Sequence, residues 1–548
     1  MIQKSAKSRS ASAHLALRAK VEQSLAANDI ARAAALAEMA LARGWPDPMM
    51  LNLAAWRREE AGDYAAAHRL LRQALALAPG DVLVMAAIGS VLRKEGRLDD
   101  ALAVLDRVIE IEPRHAAAWL ERGYVLDALR STAGACESYR HALALDPNLA
   151  PALGKLADAA ARDGDTESGR ELALRSLTIN PSEPSAIFAL ATIDIEARNV
   201  VAAQERLAVP LESALRGDDR TRGLTLLGDA LDRQGRTAEA FASWVEAQSS
   251  FRSVYATVLE PNSDRPSHRN FIEAISNQLR TMPSIQEQRP GAAIAQAAAN
   301  HVFLLGYPRS GTTLVENVLA SAPNVVALEE RNTLDEIDQT LIANDGTMQP
   351  LDSLDSALID RLRAGYWERV NTMAGDVANK TFVDMNPFNG IKLPIIARLF
   401  PKARILIMRR DPRDVVLSCF RINFTPSPAA WAFSDLEETA RHYDAQMKLT
   451  EMCLGTLPLA FHEVRYDRLV TDFEPTVRAI AEFVGLEWTE AFRTFDRTAQ
   501  TRGVRTASAT QVRRGLYDGR GQWRRYADQL GPVLPILAPW VERLGFEA

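Results

Sequence analysis

Between positions 309 and 313 the chain sets one guanidinium and three hydroxyls, Arg309, Ser310, Thr312 and Thr313, around a single glycine, Gly311. The apolar run VFLLG at 302–306 reads as a buried strand that breaks at Gly-Tyr-Pro, and TTLVENVLASAP at 312–323 has helical spacing up to Pro323. The cluster therefore lies where a strand hands over to a helix N-terminus. Unpaired backbone N–H groups and the helix dipole favour an anion at such a place, and Gly306 and Gly311 let the backbone wrap around it. A plain strand-to-helix turn without a ligand is the blander reading, and four polar side chains in five positions weigh against it. GYPRSGTT matches the nucleotide phosphate loop G-x-x-x-x-G-K-[ST] except that Thr312 stands where the lysine belongs.

About 100 residues later RILIMRRDPRDVVLSCF, residues 404–420, repeats the pattern. A strand ends in Arg409 and Arg410, and a helix begins near Asp411-Pro412. A nucleoside triphosphatase needs a magnesium-binding Asp at the end of the corresponding strand and a lysine in the loop to neutralise its triphosphate. This sequence has neither. A donor with less charge on the reacting group fits better, and 3′-phosphoadenosine 5′-phosphosulfate is one. Backbone amides, hydroxyls and an arginine balance its singly charged sulfuryl group without a metal, and its separate 3′-phosphate calls for a basic clamp of its own.

On these residues, 301–548 resembles the sulfotransferase family, especially the tyrosylprotein sulfotransferases and bacterial proteins that fuse tetratricopeptide repeats to such a domain. G-x-P-R-S-G-T-T is the family's 5′-phosphosulfate loop, complete here from Gly306 to Thr313, and R-D-x-R-x-x-x-x-S is its 3′-phosphate motif, matched by Arg410, Asp411, Arg413 and Ser418. The resemblance implies that Arg309, Ser310, Gly311, Thr312 and Thr313 hold the donor's phosphosulfate and that Arg410 and Ser418 hold its 3′-phosphate, a bidentate arginine being suited to it. Glu330, second of the acidic pair in LEER, takes the place of the general base, with Arg309 stabilising charge on the transferring group. Taken alone, Glu329 and Glu330 read as a solvated helix face. Tyr466, in EVRYDRLV, matches a tyrosine near the nucleotide, and Ser508, in the segment that closes over the donor, matches a donor-contacting serine.

The sequence departs from the family at three places. Gln522 stands near a donor-binding lysine, with Arg524 and Arg525 as nearby replacements. In FVDMNPFNGIKL, Met385 takes the place of a lysine that reaches the donor's bridging oxygen, and Lys380 is the nearest substitute in sequence. Losing one such preorganised donor costs about 10² to 10³ in rate. A slow enzyme, a compensating residue and a non-catalytic relative all fit that loss. Arg409 reads as a solvent-facing residue, His442 and His462 read as ordinary core or surface residues, and Trp523 reads as packing the closing segment.

These motifs need a scaffold, and the first half of the chain is built differently. Pro79, Pro113, Pro147 and Pro181 recur at an interval of 34; Gly62, Gly96 and Gly164 keep the same register with Arg130 in the one missing place, as do Ala67, Ala101, Ala135 and then Gly169. Each unit reads as a helix, a tight glycine turn and a second helix ended by proline. The period resembles the tetratricopeptide repeat, which stacks into a curved solenoid. The concave face of such an array suits a peptide or protein partner; a scaffold or dimerisation arm is the other reading. The expected architecture is multidomain. A flexible N-terminus at 1–11 precedes an all-α tetratricopeptide repeat solenoid over 12–250 and a linker with a short helix over 251–300. An α/β P-loop-like sulfotransferase domain with a central parallel sheet follows over 301–548.

The 548 residues, 47% hydrophobic and with a net charge of −6, give no bulk attraction to nucleic acid or to an acidic membrane surface. Three cysteines, Cys136, Cys419 and Cys453, without metal-ligand spacing predict a reducing compartment and no metal. No apolar run reaches membrane-spanning length and the first twenty residues lack a signal-peptide core, so a cytoplasmic protein is expected. The acceptor is a hydroxyl group whose carrier the sequence does not specify: protein or peptide tyrosine, glycan or small molecule.

Overall fold

The computed structural model describes residues 2–281, 294, 296–502 and 515–547. Two compact units are present, Met1–Ile193 and Asp194–Ala548. The first is all helix. A helix over Ile2–Ala26 leads into antiparallel pairs such as Val82–Lys94 with Leu98–Ile111 and Ala116–Ala128 with Thr132–Leu145. The small residues that repeat every 34 positions, Ala67, Ala101 and Ala135, are fully buried, which lets paired helices approach closely. Gly62, Gly96 and Gly164 turn with φ of 77°, 78° and 85°, and Arg130 adopts φ of 61° in the same register. The turn geometry is therefore set by the array, and Arg130 meets it at the steric cost that glycine avoids.

In the second unit the helix Val200–Ser213 is followed by a helical hairpin, α1 (Gly217–Arg233) and α2 (Thr237–Leu259). Gly228 lies where a Cβ would approach within 2.3 Å of the Trp244 indole nitrogen, so the buried tryptophan packs directly against the backbone of α1. Trp244 shares a core with Tyr526, Leu530 and Val533 of the C-terminal segment. Asp232 accepts from the Tyr526 hydroxyl at 2.5 Å and pairs with Arg525 at 2.8 Å. The hairpin is thus a packed part of this unit. Helix α3 (His268–Thr281) follows and buries Ile272, Ile275 and Leu279 in the main core.

Five parallel strands form the sheet: β1 (Asn300–Leu305), β2 (Val325–Glu329), β3 (Thr381–Met385), β4 (Arg404–Arg409) and β5 (Ala460–Arg465), in the order β2-β3-β1-β4-β5. Alternation decides which face each residue covers. Val302, Leu304, Val383 and Met385 face one core, with α4 (Thr312–Ala320) and α9 (Phe473–Val484). Phe303, Leu305 and Phe382 face the other, with α3, α5 (Ser356–Ala374), α6 (Leu393–Leu399) and α8 (Leu436–Thr456). Both faces are covered, as a parallel sheet requires. Helix α7 (Pro412–Phe420) follows β4. No helix among the described residues is long and apolar enough to cross a membrane.

Candidate active site

The register of the sheet gathers the motifs. Glu329 pairs with Met385, Met385 with Leu304, Leu305 with Ile407, and Arg409 with Arg465. Every strand therefore ends at one edge, and the residues leaving that edge are, in spatial order, Glu330, Met385, the 306–313 loop, Arg410 and Tyr466. Ligands of open parallel sheets bind outside the carboxyl ends of the strands, where the strand order reverses, and β1 occupies that position here.

Within the loop, Arg309 has φ of 69° and Gly311 has φ of 110° and acts as N-cap of α4 without a side-chain cap. A Cβ at Gly311 would come within 2.8 Å of the Tyr466 ring, so glycine is required there by both conformation and packing. Ser310, Thr312 and Thr313 are buried. Ser310 Oγ has no hydrogen-bond partner among the described residues. A buried hydroxyl without a partner, next to the uncapped N-terminus of a helix, is where an anion's oxygens would be satisfied.

The arginine motif is bonded to this loop. Arg410 Nη1 donates to the carbonyl of Arg309 at 2.9 Å and Nη2 to the carbonyl of Gly519 at 2.6 Å, while its Nε is buried without a partner among the described residues. Its guanidinium lies over the Tyr466 ring, 4.6 Å from the centroid. The Tyr466 hydroxyl donates to the carbonyl of Tyr517 at 2.7 Å and accepts from the Gly519 amide at 3.2 Å, so these two side chains hold the segment from Tyr517 to Gly519. Arg309 Nε donates to Ser418 Oγ at 3.0 Å. Burial, with Arg410 nearby, holds the Arg309 guanidinium down at about 10, and the charge of Glu330 acts in the opposite sense. Arg309 thus stays cationic at neutral pH in a site where an anion would relieve the cost of its burial.

Glu330 has φ of 48°, is exposed, and donates its amide to the Met385 carbonyl at 2.7 Å. Met385 itself is fully buried. Beside it Asp384 points to the opposite face, where Oδ2 accepts from Thr333 Oγ1 at 2.6 Å and from the Tyr366 hydroxyl at 2.8 Å; His301 Nε2 lies 2.8 Å from that hydroxyl. Burial raises the Asp384 carboxyl to about 6.

Other expected neighbours fall elsewhere. Lys380 bonds the Asp376 carbonyl, before β3 begins, roughly 16 Å along the strand from Met385 at about 3.3 Å per residue. Arg525 is engaged by Asp232, and Gln522 Nε2 bonds the Tyr517 hydroxyl at 2.8 Å. Arg409 is not solvent-facing: it is buried, 2.5 Å from Glu451 and 3.2 Å from Glu463, because its alternation on β4 turns it under α8. Ser508 lies outside the described residues. His462 stacks on Phe483, whereas His442 is fully buried and bonds the loop residue Tyr307 at 2.8 Å. The only sequence signal for that contact was a histidine on an amphipathic helix, which is commoner in ordinary cores.

A cavity of about 500 Å³ opens beside Arg410 and Tyr466, with Arg413, Arg465, Arg520 and Trp523 also on its wall. Among the described residues no group of three or more His, Cys, Asp or Glu is placed to hold a metal ion.

Residues 301–490 match the model of the sulfotransferase family, and residues 59–121 and 116–149 match two models of the tetratricopeptide repeat. The chain joins tetratricopeptide repeats to a sulfotransferase-family domain. A protein of Aquifex aeolicus, described only as uncharacterized, is 26% identical over 397 residues, 70% of this chain and 49% of that one. A putative protein-tyrosine sulfotransferase of Caenorhabditis briggsae is 26% identical over 197 residues, 34% of this chain and 66% of that one. Protein-tyrosine sulfotransferase 1 of Danio rerio is 25% identical over 196 residues, 35% of this chain and 54% of that one. The chain thus spans from about half to two thirds of the length of these relatives. Among solved structures, a tetratricopeptide repeat protein from Parabacteroides merdae aligns with a TM-score of 0.30 and 15% identity, over 38% of this chain and 86% of that one.

Proposed function

We propose that the domain transfers a sulfuryl group from 3′-phosphoadenosine 5′-phosphosulfate to an acceptor hydroxyl. The observation that carries this reading is the bonding of the two anion-suited motifs to each other, Arg410 to the Arg309 carbonyl and Arg309 to Ser418. Two anionic groups of one donor could be held side by side by such a pair.

The residues fit that donor. Ser310 and Arg410 each keep a buried polar atom without a partner among the described residues, and α4 presents an uncapped N-terminus. In this reading Arg309, Ser310, Gly311, Thr312 and Thr313 hold the phosphosulfate. Arg410 and Ser418 hold the 3′-phosphate, while Tyr466 contacts the nucleoside side, where the cavity of about 500 Å³ lies within the size range of small-molecule sites; Ser508, outside the described residues, keeps the donor contact that the family resemblance implies. The bound donor supplies an activated sulfur–oxygen bond. Glu330 takes the proton of the acceptor hydroxyl as its oxygen bonds to sulfur, the sulfur–oxygen bond to the 5′-phosphate breaks and 3′-phosphoadenosine 5′-phosphate leaves, and Arg309 balances charge on the transferring group. No metal enters. The acceptor in this reading is a protein or peptide hydroxyl, tyrosine first, recruited by the repeats.

A second reading is favoured by one observation, the fully buried Met385 at the carboxyl end of β3, beside the loop that follows β1. In it the domain binds the nucleotide without turnover and the repeats act as a partner-binding scaffold. Incubation with sulfur-labelled donor and a panel of tyrosine peptides and glycans separates the two. Label transfer abolished by Glu330→Gln supports catalysis; donor binding without transfer supports the second reading; absence of donor binding by calorimetry removes both.

A further inference from the structure

The loop that carries Arg309 and Ser310 rests on a buried chain of three side chains. The Tyr307 hydroxyl lies 2.8 Å from His442 Nδ1, and His442 Nε2 lies 2.7 Å from His268 Nδ1. Tyr307 and His442 are 1% and 0% exposed. One turn along α8, Gln446 Nε2 donates to the carbonyl of Gly306 at 3.2 Å. Two consecutive loop residues are therefore bonded to one face of α8. Helix α8 is in turn tied to α3 by His268 and by an Arg269–Glu438 ion pair at 2.9 Å. Helix α3 precedes the span that matches the sulfotransferase family.

Proton counting gives the chain a direction. Burial lowers both imidazoles, His268 to about 4 and His442 well below its ordinary value, so each is neutral near pH 7 with one donor and one acceptor nitrogen. If His268 donated to His442, then His442 would donate to Tyr307, and the phenol proton would be buried with no acceptor among the described residues. In the opposite direction Tyr307 donates to His442 Nδ1 and His442 donates from Nε2 to His268 Nδ1, and each contact has one proton. Buried donors are paired, so the second direction holds.

We propose that His442 is a positioning residue for the donor site: it receives the Tyr307 hydroxyl, and with Gln446 it fixes the path of the backbone that leads into Arg309–Thr313, while His268 sets its tautomer. The inference rests on the reading that this loop takes the phosphosulfate donor. A loop whose path is fixed before binding presents its amides without a reorganisation cost, which is felt in donor affinity rather than in the acceptor step. None of the three side chains touches a reacting atom. Helix α3, outside the matched family span, thereby becomes part of the donor site.

The test uses the full chain and 3′-phosphoadenosine 5′-phosphate as the calorimetric probe. Tyr307→Phe and His442→Leu are expected to weaken its binding about 5- to 30-fold, the effect of one or two lost hydrogen bonds, and His442→Asn, which keeps an acceptor near Nδ1, recovers most of it. In steady-state assays donor KM rises by a similar factor, with kcat and acceptor KM within about threefold. Binding by Tyr307→Phe and His442→Leu within twofold of the wild type overturns the inference. Should the variants fail to fold, proton NMR of the wild type decides. A slowly exchanging imidazole N–H signal that shifts on adding the probe supports the inference, and its absence or its indifference to the probe overturns it. Failure of the wild type to bind the probe overturns the donor reading and this inference together; equal binding by wild type and variants overturns this inference alone.

Discussion

Arg410 donates to the backbone carbonyl of Arg309 at 2.9 Å, which joins two motifs 101 residues apart into a single basic rim at the carboxyl edge of the sheet. The bond goes to a carbonyl and not to a side chain. It therefore fixes the loop's path while leaving Arg410 Nε without a partner among the described residues.

Replacing Arg410 with alanine removes the loop contact, the Gly519 contact and the stacking on Tyr466 together. Affinity for 3′-phosphoadenosine 5′-phosphate is expected to fall by at least about 100-fold, since charge-assisted hydrogen bonds contribute roughly 1.5–3 kcal/mol each. Arg410→Lys recovers little, because a point charge cannot reproduce the fork. Isothermal calorimetry checks both.

Glu330→Gln keeps the shape and the amide bond to Met385, and removes the proton acceptor. Sulfuryl transfer is expected to drop about 10²- to 10⁴-fold with nucleotide affinity unchanged. Single-turnover kinetics with labelled donor measure the first, and calorimetry the second.

Met385→Lys restores a cation at the one edge position where the family resemblance implies one. The long stem can stay in the core while the ammonium reaches the strand edge. A rise in kcat of about 10-fold or more is expected, with donor affinity little changed. An unchanged rate in a folded variant would show that Arg309 already neutralises the leaving oxygen.

Asp384 gives a pH signature. Its carboxyl stands at about 6 because of burial, above the unfolded value, so between about pH 4 and 6 the folded state retains a proton that the unfolded state releases. Stability contributed by this group is present below about pH 4 and is lost as pH rises through 6. Asp384→Asn removes that loss. Relative to wild type, the variant is expected to gain about 2–3 kcal/mol between pH 4 and 7 and no more above it, from roughly two pK units at 1.36 kcal/mol each. Urea denaturation across that range reads the difference.

The α1–α2 hairpin is expected to fold with the second unit. A fragment beginning at Asp194 should unfold cooperatively, whereas one beginning after Leu259 loses Trp244 from its core and Asp232 from Arg525 and Tyr526. Removing a buried tryptophan alone costs about 3–5 kcal/mol. Thermal denaturation of the two fragments is the measurement.

The sequence alone determined the repeat and the two anion-suited loops, because each is a local code. A 34-residue interval of proline and small residues can only be read as stacked helix pairs, and a strand that breaks at Gly-Tyr-Pro before a helical run places backbone amides at a helix N-terminus whatever surrounds it. Lys380 looked like a neighbour of Met385 because five residues separate them, yet a strand extends about 3.3 Å per residue and carries it to the far end. Arg409 looked like a solvent-facing residue, yet the two-residue period of β4 turned it under α8 to Glu451 and Glu463. Strand order was decided only in three dimensions. It put Met385 between Glu330 and the loop, and it seated Tyr307 on His442, contacts made by chain segments 55 and 135 residues apart. Such pairings depend on which helices cover which face of the sheet, and no local pattern of residues carries that information.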